Sequence, residues 1–161
     1  MNNNEIFLCD AIDVIEEILA SGGEFQMFPK GTSMLPLIVQ NRDTVVLKRG
    51  FDVPAKKHDI AFYRRKNGQF VLHRVMKICK DGTYIMCGDN QIILEKGIES
   101  SQIIGYVSGI NRNGKNLRLN GGLYKAYVFF WCFRPIRRIG MFFKRVKGKM
   151  VRIFKALFKK A

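Results

Sequence analysis

The chain opens on apolar residues that return every three or four positions. Ile6, Ala11, Ile12, Ile15, Ile18 and Leu19 fall near one face of a helix, and Asp10, Asp13, Glu16 and Glu17 interrupt them with charge. Ser21-Gly22-Gly23 supplies the stop, because glycine takes the left-handed backbone that ends a helix without steric cost. From Phe25 to about Leu119 the pattern changes to short runs suited to strands. These are predicted at Glu24–Phe28, Thr44–Lys48, Asp59–Arg64, Phe70–Cys79, Thr83–Cys87 and Ile103–Asn111. Asn67-Gly68, Asp81-Gly82 and Asn113-Gly114 are suited to the tight hairpins between them. No alternation of strand and helix interrupts the series. The expected fold class is therefore mainly β, a compact antiparallel domain behind an N-terminal amphipathic helix.

A third pattern begins after Gly121-Gly122. Leu123 to Phe133 is apolar and aromatic apart from Lys125, and Arg134-Pro135 then stops it. From Ile136 onward, Ile139, Phe142, Phe143, Val146, Met150, Ile153, Phe154 and Leu157 recur at helical steps. Arg137, Arg138, Lys144, Arg145, Lys147, Lys149, Arg152 and Lys155 fill most of the remainder. A phenylalanine-rich face opposed to a Lys/Arg face marks a helix lying in a membrane interface. The organisation read from these patterns is a helix at 1–23, a β-rich domain at 24–120 and a basic helical tail at 121–161. Membrane contact is assigned to Phe142, Phe143, Lys144, Arg145, Lys149, Arg152 and Phe154.

Charge sharpens that division. The 161 residues are 47% hydrophobic and 25% charged, which fits a globular protein and excludes a wholly disordered or collagen-like chain. The net charge of +15 is unevenly spread. Residues 1–99 carry 13 basic and 13 acidic side chains, whereas residues 100–161 carry 15 basic ones and no acid after Glu99. A neutral body with a basic tail does not look like a core that grips nucleic acid, and an anionic membrane surface is the expected partner. No apolar run approaches the ~20 residues of a spanning helix, and no secretory signal opens the chain. Lys/Arg-rich segments stay cytoplasmic, so the expectation is peripheral association with the cytoplasmic face. Cys9, Cys79, Cys87 and Cys132 form no paired motif and have no histidine at metal spacing. They read as reduced structural thiols, with no metal or organic cofactor implied.

Candidate chemistry sits within the β-region. Lys30-Gly31-Thr32-Ser33-Met34-Leu35-Pro36 puts a serine on a turn, where a nucleophile is accessible. A serine hydroxyl needs a base near neutral pH, and the chain has only His58 and His73. His58 lies in the polar turn Lys56-Lys57-His58-Asp59 and reads as a solvated loop residue. His73, in Phe70-Val71-Leu72-His73-Arg74-Val75-Met76, lies on a strand and can take and return a proton. A lone histidine on a strand is more often a satisfied structural residue. Cys87-Gly88-Asp89-Asn90 and Glu95 offer two carboxylates, either of which could orient the imidazole. Asp43 and Asp59 read as strand beginnings.

Gly31-x-Ser33-Met34-x-Pro36, then His73-Arg74-Val75, then Gly88-Asp89-Asn90, in that order, resembles the signal peptidase I superfamily, which includes the self-cleaving repressor proteases. The common bacterial branch has a lysine before the Arg-Val pair. Here it is His73, similar to the endoplasmic-reticulum, archaeal and sporulation-type branch. The resemblance covers roughly residues 25–115 and implies a serine endopeptidase that cleaves signal- or leader-like peptides after small residues. Ser33 would be the nucleophile, its backbone N–H part of the oxyanion hole, and His73 the base. Asp89 matches the acid of the Gly-Asp-Asn box, and Glu95 falls where that branch has a second acid, usually aspartate. Gly31 stands where some bacterial members carry a second hydroxyl donor. The implied substrate is a peptide or pro-protein presented at the membrane. An unperturbed His73 predicts a pH–rate profile rising near ~6.5. Two other readings stay open: a catalytically inactive peptide-binding module, and a repressor-type self-cleaving protease associated with nucleic acid.

Overall fold

A computed structural model describes residues 3–50, 53–133, 135, 137–140, 146 and 150. Helix α1 (Asn3–Ala20) is followed by strands β1 (Phe25–Met27), β2 (Asp43–Arg49), β3 (Ile60–Arg64), β4 (Phe70–Ile78), β5 (Tyr84–Cys87) and β6 (Glu95–Ile98). A short 3-10 turn, Ser100–Gln102, leads into β7 (Ile103–Arg112), β8 (Lys115–Arg118) and helix α2 (Gly122–Cys132). The strands form one sheet in the order β1-β2-β7-β3-β4-β5-β6, with β8 paired to β7. Every pairing is antiparallel. The mainly β expectation is met, and all six predicted strands are present.

Sequence patterning missed β6 and β8. Glu95-Lys96-Gly97-Ile98 and Lys115-Asn116-Leu117-Arg118 each hold only one apolar residue, so neither carries a period of two. Both sit at the margin of the sheet and take their conformation from one partner strand. The β7–β8 turn follows its sequence signal. Asn113 and Gly114 both have positive φ, 50° and 78°, as a two-residue hairpin loop requires.

The sheet is covered on both faces because its strands alternate. On β3, Ile60 and Phe62 join a cluster with Ile12, Ile15 and Leu19 of α1, while Ala61 and Tyr63 join Val75, Met86 and Ile103 in a second. The buried side of α1 is the predicted one where its side chains are described, with Val14 and the acids outward.

Helix α2 departs from a free tail. Tyr124, Tyr127, Val128 and Trp131 recur at helical steps and form its inner face. Val128 is buried, and the three aromatic tips make polar bonds to the body. Arg137, beyond the helix, is buried as well. The residues assigned to membrane contact, Phe142, Phe143, Lys144, Arg145, Lys149, Arg152 and Phe154, lie outside the described residues. Among the described residues no helix is long and apolar enough to cross a membrane.

Candidate active site

Ser33 lies on the loop between β1 and β2, and that loop is pinned along its length. Met34 and Ile38 sink into the first cluster. The buried Asp43 accepts the Val39 N–H (2.8 Å) and is paired with Arg42 (2.8 Å) and Arg112 (2.9 Å). Those partners outweigh burial and hold the Asp43 carboxyl well below its ordinary range. Arg112 also donates to the Leu37 carbonyl (2.7 Å), and the Gly31 N–H donates to Gln40 Oε1 (2.7 Å). The Leu35–Pro36 bond is cis. Asp43 opens β2 and Asp59 directly precedes β3, as their positions in the sequence suggested.

His73 is buried on β4, opposite Ala61, while Tyr63 on β3 stands opposite Val71. Tyr63 and His73 are therefore diagonal neighbours on one face of the sheet, close enough for long side chains to meet. The Tyr63 hydroxyl lies 3.2 Å from His73 Nδ1, and Glu95 Oε1 lies 3.1 Å from the same nitrogen. Tyr63 donates its own proton to Glu95 Oε2 (2.9 Å), and Arg65 clasps both oxygens of Glu95, through Nε (2.8 Å) and Nη2.

This network fixes the tautomer. The tyrosine proton is spent on Glu95, so both neighbours of Nδ1 are acceptors. Nδ1 must carry the imidazole proton, which leaves Nε2 bare. Burial is the main influence on His73 and lowers its pKa to about 4, with the Glu95 charge opposing the fall. An acid limb near ~6.5 is thus displaced downward. Burial pushes Glu95 up, but the bonds from Arg65 and Tyr63 prevail and leave it below the ordinary glutamate value. Burial, with the neighbouring carboxylate, raises the Tyr63 phenol so that it stays protonated.

The two candidate acids occupy different environments. Asp89 is fully buried and paired with Arg74, Nε to Oδ1 at 2.8 Å and Nη2 to Oδ2 at 2.6 Å. Arg74 Nη1 donates to the His58 carbonyl and to the Tyr124 hydroxyl, both at 2.9 Å. Tyr127 donates to Asp89 Oδ2 (2.9 Å) and Trp131 Nε1 to the Asp89 carbonyl (2.8 Å). Glu95 touches the imidazole directly, and Asp89 holds the turn beside it.

That turn joins the histidine to the serine. The Asn90 N–H donates to the Ser33 carbonyl (2.6 Å). A methyl group placed on Gly88 would lie 2.7 Å from the Ser33 carbonyl oxygen and 3.1 Å from His73 Cδ2. Only glycine lets the two segments approach this closely. The Cδ2 corner of the imidazole, remote from Nδ1, is thereby the part that packs at Gly88, across from the Ser33 carbonyl. Among the described residues, no hydrogen bond joins the Ser33 hydroxyl to the imidazole.

Sequence reasoning missed Tyr63 and Arg65. A signal existed: aligning Ala61-Phe62-Tyr63 against Val71-Leu72-His73 across the Asn67-Gly68 turn puts Tyr63 and His73 on one face. His58, read as solvated, is half-buried, with φ of 77°, and burial lowers its pKa. It lines a groove of about 400 Å³ with Ile60, Val107, Tyr124 and Val128, a groove that Ser33 and His73 do not line. Among the described residues, no three His, Cys, Asp or Glu side chains gather as a metal site, and Cys79, Cys87 and Cys132 are free thiols. No protein-family model, curated protein or solved structure matches the chain.

Proposed function

We propose that the chain is a serine endopeptidase of the signal peptidase type, acting on a peptide or pro-protein presented at the cytoplasmic face of a membrane. The observation that carries this reading is the tautomer lock. His73 Nδ1 faces two acceptors, Glu95 and Tyr63, and its Cδ2 corner packs at Gly88, where the Ser33 carbonyl also closes in. A structural histidine needs only a satisfied ring. A general base needs a proton fixed on the far nitrogen, a bare near nitrogen and a carboxylate to support the charge it gains.

In the reaction, Ser33 Oγ attacks the scissile carbonyl as its proton passes to His73 Nε2. The Ser33 N–H stabilises the tetrahedral oxyanion. The imidazolium, supported by Glu95, gives its proton to the leaving amine, and an acyl-enzyme remains on Ser33. Water, deprotonated by His73, then attacks the acyl carbonyl, and the imidazolium returns that proton to Ser33 Oγ as the acid leaves. Glu95 positions the base, Tyr63 and Arg65 position Glu95, and Asp89 shapes the turn that braces the Ser33 carbonyl.

The absent Ser33–His73 hydrogen bond favours one rival, a module that binds peptides without cutting them. Peptides with small residues before the cut, incubated with the protein on anionic vesicles and read by mass spectrometry, decide between the two. Wild type is expected to cleave and Ser33→Ala to lose cleavage altogether. Binding without cleavage by both proteins favours the module.

A further inference from the structure

Helix α2 has two faces, and only one belongs to the body. Its inner face is tied to Asp89 through Tyr127 and Trp131, and to the Asp89 partner Arg74 through Tyr124. Its outer face is apolar and open: Leu123 is 93% exposed, Phe129 73%, Phe130 55% and Phe133 55%. Three large apolar side chains on one side of an 11-residue helix, with Phe133 capping its end, are too much apolar surface to be incidental. The surrounding charge indicates what covers them. Lys125 and Arg138 are exposed nearby, and residues 100–161 contain no acid. Phenylalanines flanked by uncompensated bases match the acyl–headgroup boundary of an anionic bilayer better than the mixed-charge rim of a protein interface.

We propose that the outer face of α2 seats on an anionic lipid surface, and that seating tightens the site. The route is short. The inner face holds Asp89, and the next residue, Asn90, holds the Ser33 carbonyl. Lipid that immobilises α2 therefore immobilises the turn beneath the nucleophile and stimulates cleavage. The stimulation rests on the peptidase reading. The lipid-facing surface does not.

Trp131 is the only tryptophan in the chain and sits on α2, so its fluorescence reports this helix and not the distal basic segment. Full-length protein is mixed with vesicles of phosphatidylcholine and brominated phosphatidylglycerol. Quenching of Trp131 is expected, and vesicles of brominated phosphatidylcholine alone should quench far less. Phe129→Glu with Phe130→Glu should weaken the quenching about tenfold or more. Their basal cleavage without vesicles should match wild type, while stimulation by anionic vesicles disappears. Phe129→Ser with Phe130→Ser, at exposed positions, serves as a milder second variant, and thermal unfolding checks its fold. Vesicle binding without Trp131 quenching overturns the proposal, because another segment then meets the lipid. So does a wild-type dimer that the substitutions split, or DNA capture without lipid binding. Quenching without lipid stimulation overturns the coupling. Absence of cleavage under all conditions overturns the peptidase reading, and the quenching still decides the surface.

Discussion

His73 and Arg74 are neighbours on β4 and face opposite sides of the sheet, and each meets a carboxylate there. Arg74 and Asp89 are both fully buried, and their ion pair is saturated by Tyr124, Tyr127 and a backbone carbonyl. His73 is just as buried, but its partner Glu95 is 22% exposed and restrained by Arg65. The first pair is a bidentate ion pair closed off from solvent on both sides, so it serves as a fixed joint. The second joins a fixed charge to a ring that can gain one. Two adjacent residues thus separate the permanent electrostatics of the fold from the switchable electrostatics of the site.

Cutting the fixed joint is expected to cost the most stability. Asp89→Ala leaves the Arg74 charge buried without its partner, and removal of one member of a buried pair costs about 3–5 kcal/mol. Urea unfolding followed by circular dichroism should show that loss in the midpoint without a large change in slope. Replacing both residues, Arg74→Met with Asp89→Leu, should recover much of the stability, because the desolvation cost disappears with the charges. A single substitution that unfolds no more easily than wild type would show that Asp89 does not anchor the turn.

The fold was largely legible because its central strands are driven by burial, which writes a period of two into sequence. Two of the marginal strands were not, since hydrogen bonds to a neighbour hold them and backbone bonds leave no residue pattern. In the site, the serine and the histidine were legible and the acid was ambiguous. Asp89 and Glu95 both follow the histidine at short range, and sequence separation cannot say which side of β4 each reaches. The register decides it: β5 lies beside β4, and Glu95 stands opposite Met86 at the far edge of β5. The docking of α2 was written at Tyr124, Tyr127, Val128 and Trp131, but the aromatic richness of the segment masked the polar tips that do the binding.

A second prediction separates the two neighbours by pH. Burial lowers His73 to about 4 in the folded protein, against ~6.5 in the unfolded chain. Between those values the unfolded chain takes up a proton that the folded one refuses, so stability falls as pH falls through that window. The loss approaches roughly 3 kcal/mol at the acid end for a shift of this size. Urea midpoints at pH 7.5 and 4.5 should therefore diverge more for wild type than for His73→Gln, and Arg74 contributes nothing to the difference. Equal divergence in both proteins would mean that His73 is not held neutral by the fold.

The smallest effect tests what Glu95 does for the base. Glu95→Gln keeps the size of the side chain and removes the charge, and its amide can donate as well as accept. Two consequences follow for His73. The imidazolium loses its support, and a donated amide proton favours the tautomer with Nε2 protonated, which cannot accept from Ser33. Cleavage should fall about 100-fold or more, comparable to the loss of a positioned base. The pH–rate profile carries the sharper information. Glu95 opposes the burial that lowers His73, so removing its charge moves the acid limb of kcat/KM to still lower pH. Tyr63→Phe should lower cleavage less, because Glu95 remains to accept from Nδ1. A Glu95→Gln protein that cuts slowly with an unmoved acid limb would reduce Glu95 to a packing role. The acid that supports the base would then have to be sought on the other side of β4, at Asp89.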